Sequence, residues 1–331
     1  MKFSYDDAIQ NMRGNPLATW SAAKPGAKKP EHASSRIYEG FSSISAPKAF
    51  NINKDHKFFC IGSCFARELE DAIDALGLHA LTKTESVRLI ESRPDLFERV
   101  EGVMGRPNAF LNRYNLGSML DLMEMVVSNK AKDDLIYKGA GETYHDYHYT
   151  RFLKALPKTD VKERRDALTE MYHMAAKEAD VFVFTLGLCE SFYDTSAGAY
   201  LNVTPDPRTA RDHDIEFRFL DVQTNVSYLR KIIALVGSLN KDAKIIVTVS
   251  PVPLDATFTG YDVVVANNLA KSSLVAAAHM VAADCDNCFY FPSFEMVVTS
   301  EQKKAWIWDG KHVSAGMVAH IMQQFMKNHI S

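Results

Sequence analysis

Cysteine is scarce in this chain of 331 residues: five, an odd number in no framework spacing. That excludes a disulfide-stapled scaffold and points to a reducing, cytoplasmic compartment. No apolar run approaches the ~20 residues that cross a bilayer, so no membrane span is expected. The opening MKFSYDDAIQNMRGNP has no apolar core and two early aspartates, unlike a secretory leader. Neither sign of charge prevails. Lys and Arg number 38 against 41 Asp and Glu, a net −3, so no global field draws nucleic acid or an anionic membrane. The aromatic residues are spread along the chain rather than gathered into a stacking platform, which also speaks against a nucleic-acid partner. A glycine-rich phosphate loop of dinucleotide or Walker spacing is missing, as is any internal repeat. The rest is an ordinary globular balance, 47% hydrophobic and 24% charged.

Residues 1–56 read as an irregular N-terminal arm. Pro16, Pro25, Pro30 and Pro47, with Gly14, Gly26 and Gly40, punctuate a segment without a periodic apolar face. Order begins at Lys57. Phe58-Phe59-Cys60-Ile61 is a short apolar run ending at Gly62, the look of a buried parallel strand, and Phe65, Leu69, Ile73 and Leu76 then recur at helical spacing up to Gly77. Similar strands are expected at 181–186, 244–249 and 289–291. Helices are expected near 115–129, 160–178, 223–239 and 262–283, with a last one from Ser314 to about Asn328, Ser314 as its N-cap. Strands alternating with helices imply one α/β domain over 57–331, a mainly parallel sheet covered on both faces. Residues 85–150 and 194–220 fit the alternation less well and read as insertions at the rim.

Ligands of open α/β sheets bind beyond the carboxyl ends of the strands. Four such ends can be named: Gly62-Ser63-Cys64, Gly187-Leu188-Cys189-Glu190, Ser250-Pro251-Val252-Pro253 and Pro292-Ser293-Phe294-Glu295. The first puts a hydroxyl and a thiol on a strand-to-helix turn, where backbone N–H groups and the helix dipole lower a thiol's pKa and hold an oxyanion. Arg67, one turn on, adds to that field. A nucleophile needs a base and the base an orienter. Asp309-Gly310-Lys311-His312, just before the last helix, supplies both: the turn around glycine lets the carboxylate reach one imidazole nitrogen and leaves the other free. Trp306 and Trp308 precede it as candidate walls against water. The bland reading of Cys64 is a small buried hydrophobe.

FFCIGSCFA at Phe58–Ala66 resembles the signature of the GSCFA family. TLGLCESF at Thr185–Phe192, TVSPVPLDATF at Thr248–Phe258, FPSFE at Phe291–Glu295 and DGKH at Asp309–His312 are similar to its other blocks, in the family's order. The family in turn resembles the SGNH/GDSL hydrolases. That resemblance implies a flavodoxin-like three-layer fold, a nucleophile after the first strand and a D-x-x-H pair near the C-terminus. Laying G-S-C over G-D-S puts Cys64 in the nucleophile slot and Ser63 where an aspartate usually stands. It further implies oxyanion donors after the second and third strands. Gly187 fits the third-strand turn, but Cys189 falls where asparagine is expected, and a thiol is a poor donor. Asn115 is a substitute donor, or simply the N-cap of its helix.

Three functions compete. The first is acyl-ester chemistry, as esterase or O-acyltransferase, with Cys64 as nucleophile, His312 as base, Asp309 as orienter and Gly187 as oxyanion donor. The resemblance leans the substrate towards a carbohydrate or polysaccharide precursor; no cofactor is required, and acetyl-CoA is the possible acyl donor. The second is a non-catalytic glycan- or partner-binding module on the same fold, and the third a serine esterase using Ser63. Weaker signals complete the reading. Glu190 is a candidate ligand for a substrate hydroxyl or a cap, and His148 for the pocket entrance. His145 and His148 around Asp146 read as polar loop residues rather than half a metal site. Cys285 and Cys288 lack a second ligand pair at zinc spacing, so no metal is expected.

Overall fold

The computed structural model describes residues 4–22, 24, 26–45, 50–103, 105–150 and 152–329. Pro25 and Pro47 of the arm lie outside them. Five strands form the central sheet: β1 (Lys57–Gly62), β2 (His79–Ala80), β3 (Val181–Leu186), β4 (Lys244–Val249) and β5 (Cys288–Tyr290). All pair in parallel, in the order β5-β4-β3-β1-β2, with Phe58 beside Val181 and Gly62 beside Thr185. Parallel strands must be covered on both faces, and they are. Phe59, Ile61, Phe182, Phe184, Ile245 and Val247 pack into one core. Their alternates Phe58, Cys60, Val181, Val183 and Ile246 pack into another. The fold is a three-layer, flavodoxin-like α/β arrangement.

Helix α1 (Cys64–Ala75) follows β1 directly and buries Phe65, Leu69 and Ile73, one residue per turn, against the second core. It ends where Gly77 turns left-handed at φ +74° and donates to the Asp74 carbonyl at 2.9 Å. Helix α2 (Leu116–Ser128), α3 (Lys158–Glu178), α4 (Val222–Leu239) and α5 (Val263–Asp284) cover the opposite face. The last helix, α6 (Ala315–His329), lies beside α1, its first turn capped by Ser314 Oγ accepting from Met317 N at 3.2 Å.

Part of the stretch read as rim insertion belongs to the layer itself. From Leu116 to Met123 every residue of α2 is buried, because Met119, Leu120, Leu122, Met123, Met125 and Val126 surround the helix with apolar side chains. Residues 190–219 contain a separate three-stranded antiparallel sheet in the order 199–201, 190–194, 215–219, whose Tyr200 packs on Gly117 of α2. The arm is docked on the α6 side. Tyr38 N donates to Thr299 O at 2.7 Å, Ser42 Oγ to the same carbonyl at 2.6 Å, and the Phe41 ring meets His320 at 5.4 Å between centroids.

Candidate active site

The strand order reverses between β1 and β3, the switch point at which such sheets leave a crevice. Two glycines let the chain pass there. Gly62 ends β1 at φ +155°, and a Cβ on it would stand 2.4 Å from the Thr185 carbonyl oxygen. Gly187 ends β3 so close to its neighbours that a Cβ would meet Tyr114 O at 2.7 Å and Ser63 Cβ at 3.3 Å. The turn between β1 and α1 is thus pressed against the turn after β3. Beyond both opens a cleft of about 680 Å³.

Cys64 is the first residue of α1 and stands half-buried on the cleft wall; Ser63, its N-cap, is 4% exposed and its Oγ has no hydrogen-bond partner among the described residues. His312 lines the same cleft. Its Nδ1 lies 2.6 Å from Asp309 Oδ2, while Asp309 Oδ1 accepts from the backbone N–H groups of Lys311 and His312, both at 2.9 Å. A carboxylate only accepts, so Nδ1 carries the hydrogen and Nε2 is left open. The His312 hydrogen bond and those two N–H groups hold the Asp309 carboxyl down at about 2.

The structure reverses the expected effect of the turn on the thiol. Burial pushes the Cys64 thiol above its ordinary value; the Lys311 ammonium opposes this, as do Lys271 and the Phe65 N–H, while Glu68 reinforces it. Arg67 takes no part. Its guanidinium points inward, 3.0 Å from Glu70 and donating to the Cys60 carbonyl at 2.9 Å, and is 2% exposed. Nor does Trp308 wall the site: it is 94% exposed.

Asn115 lines the cleft but spends its side chain locally. Oδ1 caps α2 by accepting from Ser118 N at 2.8 Å, and Nδ2 donates to Leu201 O at 3.1 Å. Cys189 is buried, its Sγ 3.4 Å from the Ala270 carbonyl. Glu190 holds protein rather than open space: its two oxygens accept from Thr257 Oγ1 at 2.6 Å and Phe258 N at 2.7 Å, fixing the 252–258 segment along the cleft. Lys311 clamps the same segment from the other side through Asp255.

His148 is not at the entrance. It is fully buried, its Nε2 2.6 Å from Asp134, next to the Arg165–Asp146 pair; burial and then Arg165 lower its pKa against the pull of Asp134. Among the described residues no cluster of His, Cys, Asp and Glu is disposed to hold a metal ion, and no helix is long and apolar enough to cross a membrane.

Four features of the cleft escape sequence reading. Tyr114 lines it, accepts from Asn112 Nδ2 at 3.3 Å, and is pushed by burial to about 12, so its phenol keeps its proton. Asn202, the residue after the 199–201 strand, ties this wall together by accepting from Tyr114 N at 3.0 Å and donating to Asn112 O at 2.6 Å. Ser250 Oγ, at the end of β4, is buried without a partner. Lys271 of α5 is 1% exposed and donates to the Gly187 carbonyl at 2.8 Å. Ser250 stands at one of the four strand ends named from the sequence, and Lys271 carries a local signal of its own. Lys271 shares a helical stripe with Leu274, Ala278 and Val281, where an apolar residue is the rule.

The GSCFA family model matches residues 57–325. The chain belongs to the GSCFA family. Its matched region runs from the first residue of β1 into α6 and so contains Cys64, Gly187, Asp309 and His312. No curated protein matches the chain.

Proposed function

We propose that this GSCFA protein performs acyl-ester chemistry on a carbohydrate or polysaccharide precursor, on an SGNH-like version of the flavodoxin arrangement. The observation that carries this reading is the shared cleft. Cys64 and His312, from opposite ends of the matched region, line it together, with Asp309 behind the imidazole. Sγ attacks the ester carbonyl carbon while its proton passes to His312 Nε2. As the tetrahedral intermediate collapses, the carbon–oxygen or carbon–sulfur bond to the leaving group breaks, and that group takes the proton back. The acyl group now rests on Cys64 as a thioester. Water attack releases an acid, as in an esterase; attack by a sugar hydroxyl, with acetyl-CoA as donor, gives an O-acyltransferase. His312 takes the incoming proton in either case.

The burial-raised thiol makes the imidazole necessary, since little thiolate forms unaided at neutral pH. The backbone N–H groups of Cys64, at the start of α1, and of Gly187 are the assigned donors to the oxyanion; the protonated Tyr114 hydroxyl is a third donor on that wall. Cys64 suits the attack better than Ser63, whose Cβ is pressed against Gly187. Val252, Leu254 and Phe258 offer an apolar bank for an acyl chain. Five free thiols suit a reducing, cytoplasmic setting.

The non-catalytic binding module is the second reading, favoured by the raised thiol pKa and by Cys189 in place of an asparagine donor. Incubation with p-nitrophenyl acetate or acetyl-CoA, followed by peptide mass mapping, separates the two. The catalytic reading expects a hydroxylamine-sensitive acetyl group on Cys64, lost in Cys64→Ala. No adduct with either donor, or one on Ser63, overturns it.

A further inference from the structure

A buried lysine without a carboxylate is an expensive group, because an ammonium leaves water only when something replaces its hydration. Lys271 is in that position. It is 1% exposed, and among the described residues its only side-chain hydrogen bond is to the Gly187 carbonyl at 2.8 Å. Glu190, the carboxylate nearest in sequence to that carbonyl, is turned away to Thr257 and Phe258. Apolar Leu274, Ala278 and Val281 continue the same stripe of α5, so packing alone would be served better by methionine or leucine.

What Lys271 touches gives it a use. Gly187 is packed against Ser63, and Ser63 is the residue before Cys64. The ammonium therefore sits one peptide behind the turn that bears the thiol. We propose that Lys271 is a positioning residue for Cys64: it pins the Gly187 carbonyl, and its buried charge favours the Cys64 thiolate and the oxyanion that follows it. This deepens the acyl-transfer reading and rests on it.

The other charges around the thiol do not duplicate that service. Arg67 is committed to Glu70, and Glu68 of α1 works against the thiolate. Lys311 pulls the thiol down more strongly than Lys271 does, but it is partly exposed to solvent and shared with Asp255, whereas the Lys271 charge is buried. Arg106, also on the cleft wall, is held by Glu68 and Asp71. On the far side of Lys271 the titratable neighbour is Cys189, whose thiol burial drives up to about 12, so it stays uncharged at neutral pH. Lys271 itself is driven down by burial to about 8, with the Cys189 and Cys64 sulfurs pulling the other way. It is charged at neutral pH and discharges as the pH rises past 8, so its help to the thiolate is greatest below that point.

The test is the rate of Cys64 alkylation by iodoacetamide from pH 6 to 10, read on the Cys64 peptide by mass spectrometry. It compares the full-length protein with Lys271→Gln, Lys271→Met and Lys271→Arg. A nearby buried opposite charge shifts a thiol by about one pK unit, so Lys271→Gln and Lys271→Met should alkylate about tenfold more slowly at pH 7 and approach the parent above pH ~9. Lys271→Arg keeps the charge and should follow the parent profile. If the methionine variant does not fold, the glutamine variant, which keeps a donor for Gly187, carries the comparison. A Lys271→Gln profile that superimposes on the parent overturns the proposal. Failure of the acyl-transfer reading looks different: there His312→Ala leaves the parent's Cys64 reactivity and acetylation unchanged.

Discussion

The two walls of the cleft are built to different standards of rigidity. On one, Cys64 rises from a turn fixed on every side: Gly62 against Thr185, Gly187 against Ser63 and Tyr114, Asn202 bracing the Tyr114 wall, Lys271 underneath. On the other, His312 stands on a short loop, its side chain 49% exposed and held by the Asp309 carboxylate, which itself accepts from the Lys311 and His312 backbone N–H groups. The difference teaches where the chemistry is controlled. A half-buried thiol on a tightly packed turn is accurately placed but poorly ionised; a partly solvated imidazole can exchange protons with water yet depends on Asp309 for its aim. Each wall supplies what the other lacks.

Breaking the more exposed wall should have the largest effect. Asp309→Asn preserves shape but releases the ring from its single orientation, and single-turnover acylation of Cys64 should slow by ~10²–10⁴-fold. Thermal stability should barely change, since the pair is close to the surface. A loss below tenfold would mean that the loop backbone alone aims the imidazole. The rigid wall is sharpened by Gly187→Ala. Its new methyl meets a backbone oxygen at 2.7 Å, which cannot rotate away, so unfolding in urea should show a loss of ~1–3 kcal/mol with the slope unchanged. An unaltered midpoint would show that the two turns are not pressed together. The smallest effect belongs to Trp308→Ala. With the indole 94% exposed, stability should stay within ~0.5 kcal/mol and acylation within about twofold.

Much of this division was legible in the chain because it is written locally. Buried parallel strands are continuous apolar runs, so Phe58–Ile61, Val181–Leu186 and Lys244–Val249 announce themselves, and their ends locate the crevice. The Asp309–His312 turn is likewise a matter of three residues and a glycine. What stayed hidden depends on distant packing. Glu70, three residues on from Arg67, was a local sign of that pair, but nothing local announces that it will be sealed inward, or that Thr257 and Phe258 will occupy Glu190. His148 looked like a loop histidine because its partners, Asp134 and Arg165, come from other elements. Cys64 looked like a helix-terminal thiol with a lowered pKa, and the dipole argument was sound as far as it went; burial under the neighbouring turns outweighs it. Asn202 and Tyr114 meet only because the three-stranded sheet folds back over the rim.

The central claim is that Cys64 and His312 work as one unit across the cleft. A crystal structure of the acetylated protein tests it most directly. The account predicts a thioester on Cys64 Sγ, its carbonyl oxygen within ~3 Å of the Cys64 and Gly187 N–H groups, and His312 Nε2 within ~3–4 Å of the sulfur. An acetyl group on Ser63 Oγ, or an imidazole turned out to solvent with the thioester in place, would contradict it.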